Sequence, residues 1–465
     1  MLDVSQKEIT SGSIPKALLV LAAPLLVQNL VQVVQQVVDI FWLGRLGGDA
    51  VAAVGLTIPL TGLLATIALG ASVGTQVIVS QRIGADDSEG SRRAAVNGTV
   101  LGFVVGLLVG LATFYFAAEI VGLFGTEAHV AEMAAAYLAV YALAVPIFSA
   151  SDAVEGGFVG WGDTRAALYI NALAVGINVV LDPFLIFGWG PFPELGVAGA
   201  ALATGLGYTC GLLLGIGMWL HGRDGFVLER EVLVIRRDDL TEVADVGWPY
   251  GIQFVASQSV RVVMIAIVAA VGGAPGLAAY TIGARVASIA FIPAMGLQQA
   301  AQSIVGQNLG ADRPSRARRT TWVGVAIAGG ALTVVGAIQW LVPETLTFVF
   351  VPEATAAELE LTVEYLRILA YGYWAIGATY LLQGGFNGAK RTRTSLVASL
   401  AQYWVARLPV AALAAYPLGM GVTGVFWAVT ISNVVAAIGL ATYYHHETVG
   451  GMNDRAAADA SASAD

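Results

Sequence analysis

The sequence has 465 residues, of which 57% are hydrophobic and only 12% are charged. Because soluble domains carry about 25% charged residues, this composition excludes an ordinary soluble globular protein and indicates a multi-spanning α-helical membrane protein. The single cysteine, Cys210, excludes an intrachain disulfide framework, and the four histidines lack metal-ligand spacing. The net charge is −9 and no metal or nucleotide motif is present, so we expect no enzyme, no cofactor and no nucleic-acid partner.

Windows of about 20 apolar residues, the length that spans a bilayer, recur along the chain. The polar N-terminus lacks the basic and apolar regions of a cleaved signal, so the first helix is expected to be retained. The windows predict twelve transmembrane helices at roughly 16–43, 51–80, 94–118, 130–160, 167–188, 196–220, 243–270, 277–306, 320–342, 361–386, 394–415 and 423–445.

The distribution of Lys and Arg predicts the orientation of these helices. With the N-terminus in the cytoplasm, eighteen of the 23 Lys and Arg residues fall in cytoplasmic segments, and Arg45 alone falls in an outer loop. Basic residues concentrate in cytoplasmic loops. We therefore expect a multi-pass protein of the plasma membrane with both termini in the cytoplasm.

Four landmarks repeat at a nearly constant distance along the chain. The segment "EGGFVGWGDTR" (155–165) matches "QGGFNGAKRTR" (383–393), and "QRIGADDSEGSRR" (81–93) matches "QNLGADRPSRARR" (307–319). Pro24 matches Pro249, and Pro183 matches Pro409. Offsets of 228, 226, 225 and 226 residues indicate two copies of a six-helix unit in the same membrane orientation.

The fold class follows from the helices and the repeat. We expect an all-α membrane protein whose twelve helices form two six-helix lobes, related by a pseudo-two-fold axis along the membrane normal. A cleft between the lobes would open alternately to each side. The expected domains are an N-lobe with helices 1–6 (1–222), a cytoplasmic linker (223–242), a C-lobe with helices 7–12 (243–446) and a disordered acidic tail (447–465).

The apolar stretch "GINVVLDPFLIFG" (176–188) carries an acid inside the membrane. An acid at the centre of a transmembrane helix costs at least about 2.5–3.5 kcal/mol, so Asp182 must face protein or water. Asn178 lies four residues earlier and shares its helical face. Pro183 frees a backbone carbonyl one turn earlier, which could act as a ligand in a cavity.

The first helix carries a matching polar stripe. Gln28, Gln32, Gln35 and Asp39 are spaced 4, 3 and 4 residues apart and lie on one helical face. Asp39 and Asp182 are each about 9–12 Å from the outer end of their helix, so they lie at similar depth. Two acids with amides beside them predict an oxygen-rich site for a proton or for Na⁺.

The repeat argues against the idea that the fold itself requires Asp39 and Asp182. Their equivalents in the second copy are near Met264 and Leu408, whereas the C-lobe carries intramembrane arginines, including Arg261 and Arg407. The alternative is that the acids are neutral packing residues or pair with those arginines. We favour a coupling role.

Other polar and small residues complete the candidate site. Pro24 is a candidate hinge on the helix that bears Asp39, and Tyr137 lines the substrate cleft or lies at the membrane interface. For Glu155 we favour a structural role. The rows Gly102–Gly106–Gly110 and Gly207–Gly211–Gly215 predict close helix packing. The candidate substrate cleft comprises Gln28, Gln32, Gln35, Tyr137, Arg261 and Arg407.

The combination of motifs resembles a known family. Twelve helices in two repeats, "LAAPLLVQNLVQVVQQVVDIFWLGRLG", "VGWGDTR" and "NVVLDPFLIFG" are similar to the multidrug and toxic compound extrusion (MATE) transporters over about residues 10 to 445. Asp39 with Asp182 resembles the archaeal and DinF-like branch. That resemblance implies a cation site in the N-lobe formed by Asp39, Asp182, Asn178 and Thr204, with Na⁺ as the candidate metal ion.

The resemblance also sets expectations for the activity. It implies a monomeric exporter of organic, amphiphilic cations within the lipid bilayer, driven by inward movement of H⁺ or Na⁺. Family members often have Tyr where this sequence has Gln35, and the C-lobe acids of another branch are replaced by Val255 and Met264. The alternative function is a lipid-linked saccharide flippase of the same superfamily, whose polyanionic cargo would suit the C-lobe arginines.

Overall fold

A computed structural model describes residues 6–462, with the backbone alone at position 290. The described chain is almost entirely helical and contains no strand. Its helices are α1 (Gln6–Ser11), α2 (Ile14–Leu46), α3 (Gly48–Gly84), α4 (Ser88–Tyr115), α5 (Ala117–Gly122), α6 (Ala128–Trp161), α7 (Thr164–Phe187), α8 (Val197–Leu220), α9 (Arg237–Gly310), α10 (Pro314–Leu341), α11 (Pro343–Phe350), α12 (Ala356–Ala370), α13 (Tyr373–Gly388), α14 (Thr392–Leu400), α15 (Leu408–Ala415), α16 (Gly421–Val449) and α17 (Met452–Ala462).

Each of the twelve predicted spans corresponds to helical structure. Ten helical segments in the described chain are long and apolar enough to cross a membrane. The seventh and eighth predicted spans are the two halves of α9, which is interrupted at Gly273, where φ is +56°. The tenth span consists of α12 followed by α13, and the eleventh continues from α14 through a π-helical stretch, Ala401–Arg407, into α15. The prediction of twelve spans is confirmed.

The backbone repeats as the sequence does. Helices α4 and α10 both have 28 residues, and they begin at Ser88 and Pro314. The turn before each contains an aspartate in the left-handed region, Asp86 at φ +61° and Asp312 at φ +52°. A non-glycine residue rarely adopts this conformation. Its recurrence at the predicted offset of 226 residues therefore supports a duplicated unit.

Internal contacts divide the chain into two compact units. The first unit is Ala23–Gly251, and the second unit is Ile252–Ser461 together with the chain up to Ala22. The division falls within α2, directly before Pro24, and within the first half of α9. These units divide the chain at other places than the expected lobes, because residues 6–22 belong to the second unit and residues 223–251 to the first.

Close helix contacts build the core of the first unit around α6. A Cβ atom at Gly102 would lie 2.8 Å from the Ser149 carbonyl oxygen, and one at Gly106 would lie 2.9 Å from Pro146 Cα. Only glycine allows the backbones of α4 and α6 to come this close. The predicted packing role of this glycine row is confirmed.

The segment between α8 and α9 packs onto the first unit. Phe226 is fully buried and stacks on Trp219 with ring centroids 5.0 Å apart. The Arg223 guanidinium pairs with Asp163, the N-cap residue of α7. Asn97 on α4 donates to the Val234 carbonyl oxygen at 3.0 Å. The expected linker is therefore bound to the first unit along its length.

Aromatic side chains fill the core of the second unit. Tyr365 stacks on Phe426 with ring centroids 4.2 Å apart and on Tyr280 at 5.6 Å. Burial of each aromatic ring contributes a large apolar area. This cluster connects α9, α12 and α16 within the second unit.

The expectation of a disordered tail is wrong for the described residues after position 450. Residues 452–462 form α17, in which Met452, Ala456 and Ala457 are buried against the core of the second unit. Asn453 also donates to the Pro314 carbonyl oxygen at 3.3 Å. Low sequence complexity indicated disorder, but alanine has the highest helix propensity, and the apolar positions share one face of α17.

Candidate ion-coupling site in the first unit

Three helices position the predicted ion-coupling residues. Asp39 lies in the last two turns of α2, Asn178 and Asp182 lie on one face of α7, and Thr204 lies in α8. Helix α7 starts where the Asp163 side chain accepts a hydrogen bond from the Ala166 amide at 3.0 Å, a typical N-cap. Asp182 is 0% exposed and Asn178 is 1% exposed.

The Asn178 carboxamide connects the two acids. One end of this amide lies 3.2 Å from Oδ1 of Asp39. The other end lies 3.4 Å from Oδ1 of Asp182 and 3.2 Å from Oγ1 of Thr204. The structure thus brings together all four residues that the family resemblance implied.

The carboxyl groups of Asp39 and Asp182 lie within electrostatic range of each other. Two ionised carboxylates repel each other in poorly solvated surroundings, so a proton on one of the two acids would stabilise the pair. The buried Oδ2 of Asp182 has no hydrogen-bond partner among the described atoms. A small cation between the carboxyl groups would meet the same electrostatic need.

The polar side chains on one face of α2 contact two different groups of residues. Gln35 lies 3.0 Å from the Asn178 amide, so it belongs to the acid site. Gln32 lies half-buried on the same helical face. Gln28 instead donates through Nε2 to Oε2 of Glu155 at 2.6 Å. Sequence periodicity placed these side chains on one face but could not identify the partner on α6.

Tyr137 lies beside the acid site, within electrostatic range of both Asp39 and Asp182. Its ring stacks on Tyr141 with centroids 6.1 Å apart. Pro24, the predicted hinge, lies inside α2 and leaves that helix continuous.

The two predicted cleft arginines belong to the second unit. The guanidinium of Arg407 donates to Ser432 Oγ at 2.9 Å and to Asn433 Oδ1 at 2.6 Å. Arg261 is exposed. Both arginines lie within electrostatic range of Tyr280 and of Tyr365.

One pair of acids was not recognised as a site from the sequence. Asp152 and Glu155 lie three residues apart on α6, and Glu155 is only 7% exposed. We expected Glu155 to be structural and assigned Asp152 no role. The available signal was the spacing, which places both acids on one helical face.

Close approach of α7 and α8 fixes the distance between Asn178 and Thr204. A Cβ atom at Gly207 would overlap the Ala174 carbonyl oxygen and lie 3.3 Å from Asn178 Cβ. A Cβ atom at Gly211 would lie 3.0 Å from the Ile170 carbonyl oxygen. The predicted packing role of this second glycine row is also confirmed.

This contact predicts a selective effect of an added methyl group. We expect Gly207→Ala to destabilise the protein by about 1–3 kcal/mol, the usual cost of overpacking, and to reduce transport by moving Asn178 away from Thr204. Thermal unfolding in detergent and transport at matched expression measure the two effects. Gly217→Ala on the same helix is the control, because no atom lies within 4 Å of its added Cβ. Equal effects of the two substitutions would contradict the packing argument.

Comparison with known proteins identifies the family. The MatE family model matches residues 24–184 and 249–413, one match in each half of the chain. The chain belongs to the MatE family. Its relatives are transporters, and its many apolar helices make it a multi-pass membrane protein.

Curated relatives of this MATE chain extend over nearly its whole length. A probable multidrug resistance protein NorM of Pseudomonas aeruginosa is 28% identical, with 96% of this chain and 92% of the relative covered. A similar protein of Thermotoga maritima is also 28% identical, over 91% of this chain and 90% of its own. An FAD transporter of Shewanella oneidensis is 27% identical, over 94% of this chain and 95% of its own.

Solved structures share the fold of the MATE chain. A MATE transporter in a bent conformation has a TM-score of 0.90 at 24% identity, covering 98% of this chain and 99% of the other. A transporter of the MOP superfamily from Pyrococcus furiosus has a TM-score of 0.89 at 24% identity, covering 97% of this chain and 99% of the other. These MATE structures have two lobes and twelve helices, which confirms the predicted fold class.

Proposed function

We propose that this MATE protein is a secondary active multidrug exporter, which exchanges organic cations for H⁺ or Na⁺ by alternating access. The observation that carries the proposal is the acid pair Asp39–Asp182. Its two carboxyl groups lie within electrostatic range of each other, yet neither forms an ion pair with a Lys or Arg of the described chain. A buried acid without a counterion needs a proton or a cation.

The geometry of this pair supports exchange at one negative site. When the pair holds a proton, the two carboxyl groups can share it and remain in contact. When the proton leaves, repulsion between the carboxylates favours their separation, and a cation is attracted instead. The Asn178 carboxamide and the Thr204 hydroxyl, 3.2 Å apart, each offer a neutral oxygen atom, which suits Na⁺ as a second coupling ion.

A movement of α2 would connect this exchange to transport. Asp39 lies on the same helix as Pro24, which removes one backbone hydrogen bond and permits bending. Exported substrate and coupling ion would then compete for the same acids from opposite sides of the membrane. On the distribution of Lys and Arg, we place both termini in the cytoplasm. On the likeness to the MATE transporters, we place the protein in the plasma membrane as a monomer.

The flippase alternative is not favoured. A polyanionic lipid-linked saccharide would be repelled by the acids of the first unit, and the guanidinium of Arg407 already donates to Ser432 and Asn433. The relatives NorM are named for multidrug resistance. The function of a cation exporter accounts for both observations.

Transport in proteoliposomes tests the proposal directly. Purified protein is reconstituted with a fluorescent organic cation at equal concentration on both sides of the membrane, and a pH gradient or an Na⁺ gradient is imposed separately. We expect one of the two ion gradients to drive uphill movement of the cation. Because one relative is an FAD transporter, FAD is assayed in parallel. Uphill movement of FAD without movement of the cation would overturn the assignment of the substrate class.

A further inference from the structure

The first unit contains a second pair of acids, the partly buried Asp152 and the buried Glu155, separate from Asp39 and Asp182. Asp152 and Glu155 share one face of α6, and Glu155 Oε2 accepts a hydrogen bond of 2.6 Å from Gln28 on α2. Gln28 lies eleven residues before Asp39, which is about 16 Å along α2. The two acid pairs thus contact α2 at different depths, one near Asp39 and the other near Gln28.

Unpartnered oxygen atoms show that this second pair is incomplete. Oε1 of Glu155 and Oε1 of Gln28 are both buried without a hydrogen-bond partner in the described structure, although Glu155 is only 7% exposed. An unsatisfied buried polar atom costs about 1–3 kcal/mol. A proton on Glu155 would convert one of its oxygen atoms into a hydrogen-bond donor.

Among the described residues, no Lys or Arg side chain neutralises these acids. Asp152 and Glu155 lie within electrostatic range of each other, and the titratable groups that face them are the phenols of Tyr141 on α6 and Tyr208 on α8. Helices α3 and α4 approach this part of α6 with Ser72 and Gly102, which carry no charge. Two carboxylates in such surroundings cannot both remain ionised without a bound cation.

The internal repeat argues against a purely structural role for the pair. The positions equivalent to Asp152 and Glu155, 228 residues later, are Tyr380 and Gln383. Gln383 is buried and donates through Nε2 to Ser399 Oγ at 3.1 Å. The fold therefore accepts a neutral amide at the position equivalent to Glu155. The negative charge occurs only in the first copy of the repeat.

We propose that Asp152 and Glu155 form a second proton-binding site, at the inner end of the polar stripe of α2. The site holds one proton between two carboxyl groups, with Gln28 as the hydrogen-bonding neighbour on α2. Its part in coupling rests on the proposed antiport function, because protons that leave Asp39 and Asp182 towards the cytoplasm would pass along this stripe. Proton binding itself does not depend on that function.

Infrared difference spectroscopy of the full-length protein tests proton binding. In the double variant Asp39→Asn/Asp182→Asn, we expect a protonated-carboxyl C=O band at neutral pH that disappears when Glu155→Gln and Asp152→Asn are added. The control is Glu132→Gln, which removes an exposed acid from the same helix. A spectrum without this band, or a band that survives removal of both acids, would overturn the proposal.

Proton counting during transport tests the role in coupling. In the otherwise unchanged protein, we expect Glu155→Gln to lower the number of protons moved per organic cation, while the cation is still bound. An unchanged ratio would contradict a coupling role for the second site. If neither ion gradient drives uphill movement of the cation in the unchanged protein, the proposed antiport function fails, yet the infrared result still decides whether the second site binds a proton. Thermal unfolding of Glu155→Gln verifies folding, which the glutamine at position 383 leads us to expect.

Discussion

Replacement of Asp39 by asparagine is expected to abolish ion-driven export while leaving the protein folded. The substitution preserves the size of the side chain and its contact with the Asn178 amide, 3.2 Å from Asp39 Oδ1. It removes the carboxyl group that, in the proposed mechanism, shares a proton with Asp182. A neutral pair cannot exchange a proton for a cationic substrate, so the ion gradient no longer drives transport.

The measurement is uphill movement of a fluorescent cation in proteoliposomes at matched protein content. Asp49→Asn is the control, because Asp49 is an exposed acid at the start of the next helix. We expect Asp182→Asn to reproduce the loss of transport, because Asp182 provides the other half of the pair. Full gradient-driven transport by Asp39→Asn would show that Asp39 is a packing residue. Loss of transport in Asp49→Asn would instead indicate a general effect of surface charge.

Local patterns in the sequence were sufficient for much of the fold. Apolar windows gave all twelve spans, because a membrane helix satisfies its own backbone hydrogen bonds and needs a fixed apolar length. The constant offset between the two copies gave the duplicated architecture. Asp39 and Asp182 could be paired because helix geometry converts sequence position into depth.

Contacts between distant parts of the chain could not be predicted in this way. Gln28 was placed on the stripe of α2, but its partner Glu155 lies 127 residues away. Helix α17 was missed because its burial depends on residues of α9 and α13, which its own composition does not reveal. Helical periodicity identifies the buried face of a helix but not the side chain opposite it.

The boundary of the first unit also depends on contacts between distant residues, which the sequence does not reveal. Sequence composition placed a domain boundary at the charged segment 223–242, whereas the compact first unit extends to Gly251. The Arg82 guanidinium at the end of α3 donates to Asp239 Oδ1 at 2.7 Å and to Glu242 Oε2 at 2.6 Å. These bonds attach the start of α9 to the first unit, so the charged segment is part of its structure.

Loss of Arg82 is therefore expected to destabilise the protein strongly. Arg82 is 6% exposed and also donates to the Gly90 carbonyl oxygen at 3.0 Å. Removal of one partner from a buried ion pair costs about 3–5 kcal/mol. Since Asp239 also accepts a hydrogen bond of 2.8 Å from Arg93, we expect Arg82→Ala to cost near the lower value.

A graded series of variants measures this contribution by thermal unfolding in detergent. Arg82→Lys is expected to lose less stability than Arg82→Ala, because an ammonium keeps the charge but lacks the planar fork that reaches several acceptors. Arg230→Ala, which removes an exposed arginine between α8 and α9, should leave the unfolding temperature nearly unchanged. If Arg82→Ala unfolds at the same temperature as Arg230→Ala, the Arg82 contacts do not hold α9 to the first unit. Both variants lose the planar guanidinium, but only Arg82→Ala loses the positive charge. If the two variants are equally unstable, the guanidinium geometry therefore contributes more to stability than the charge.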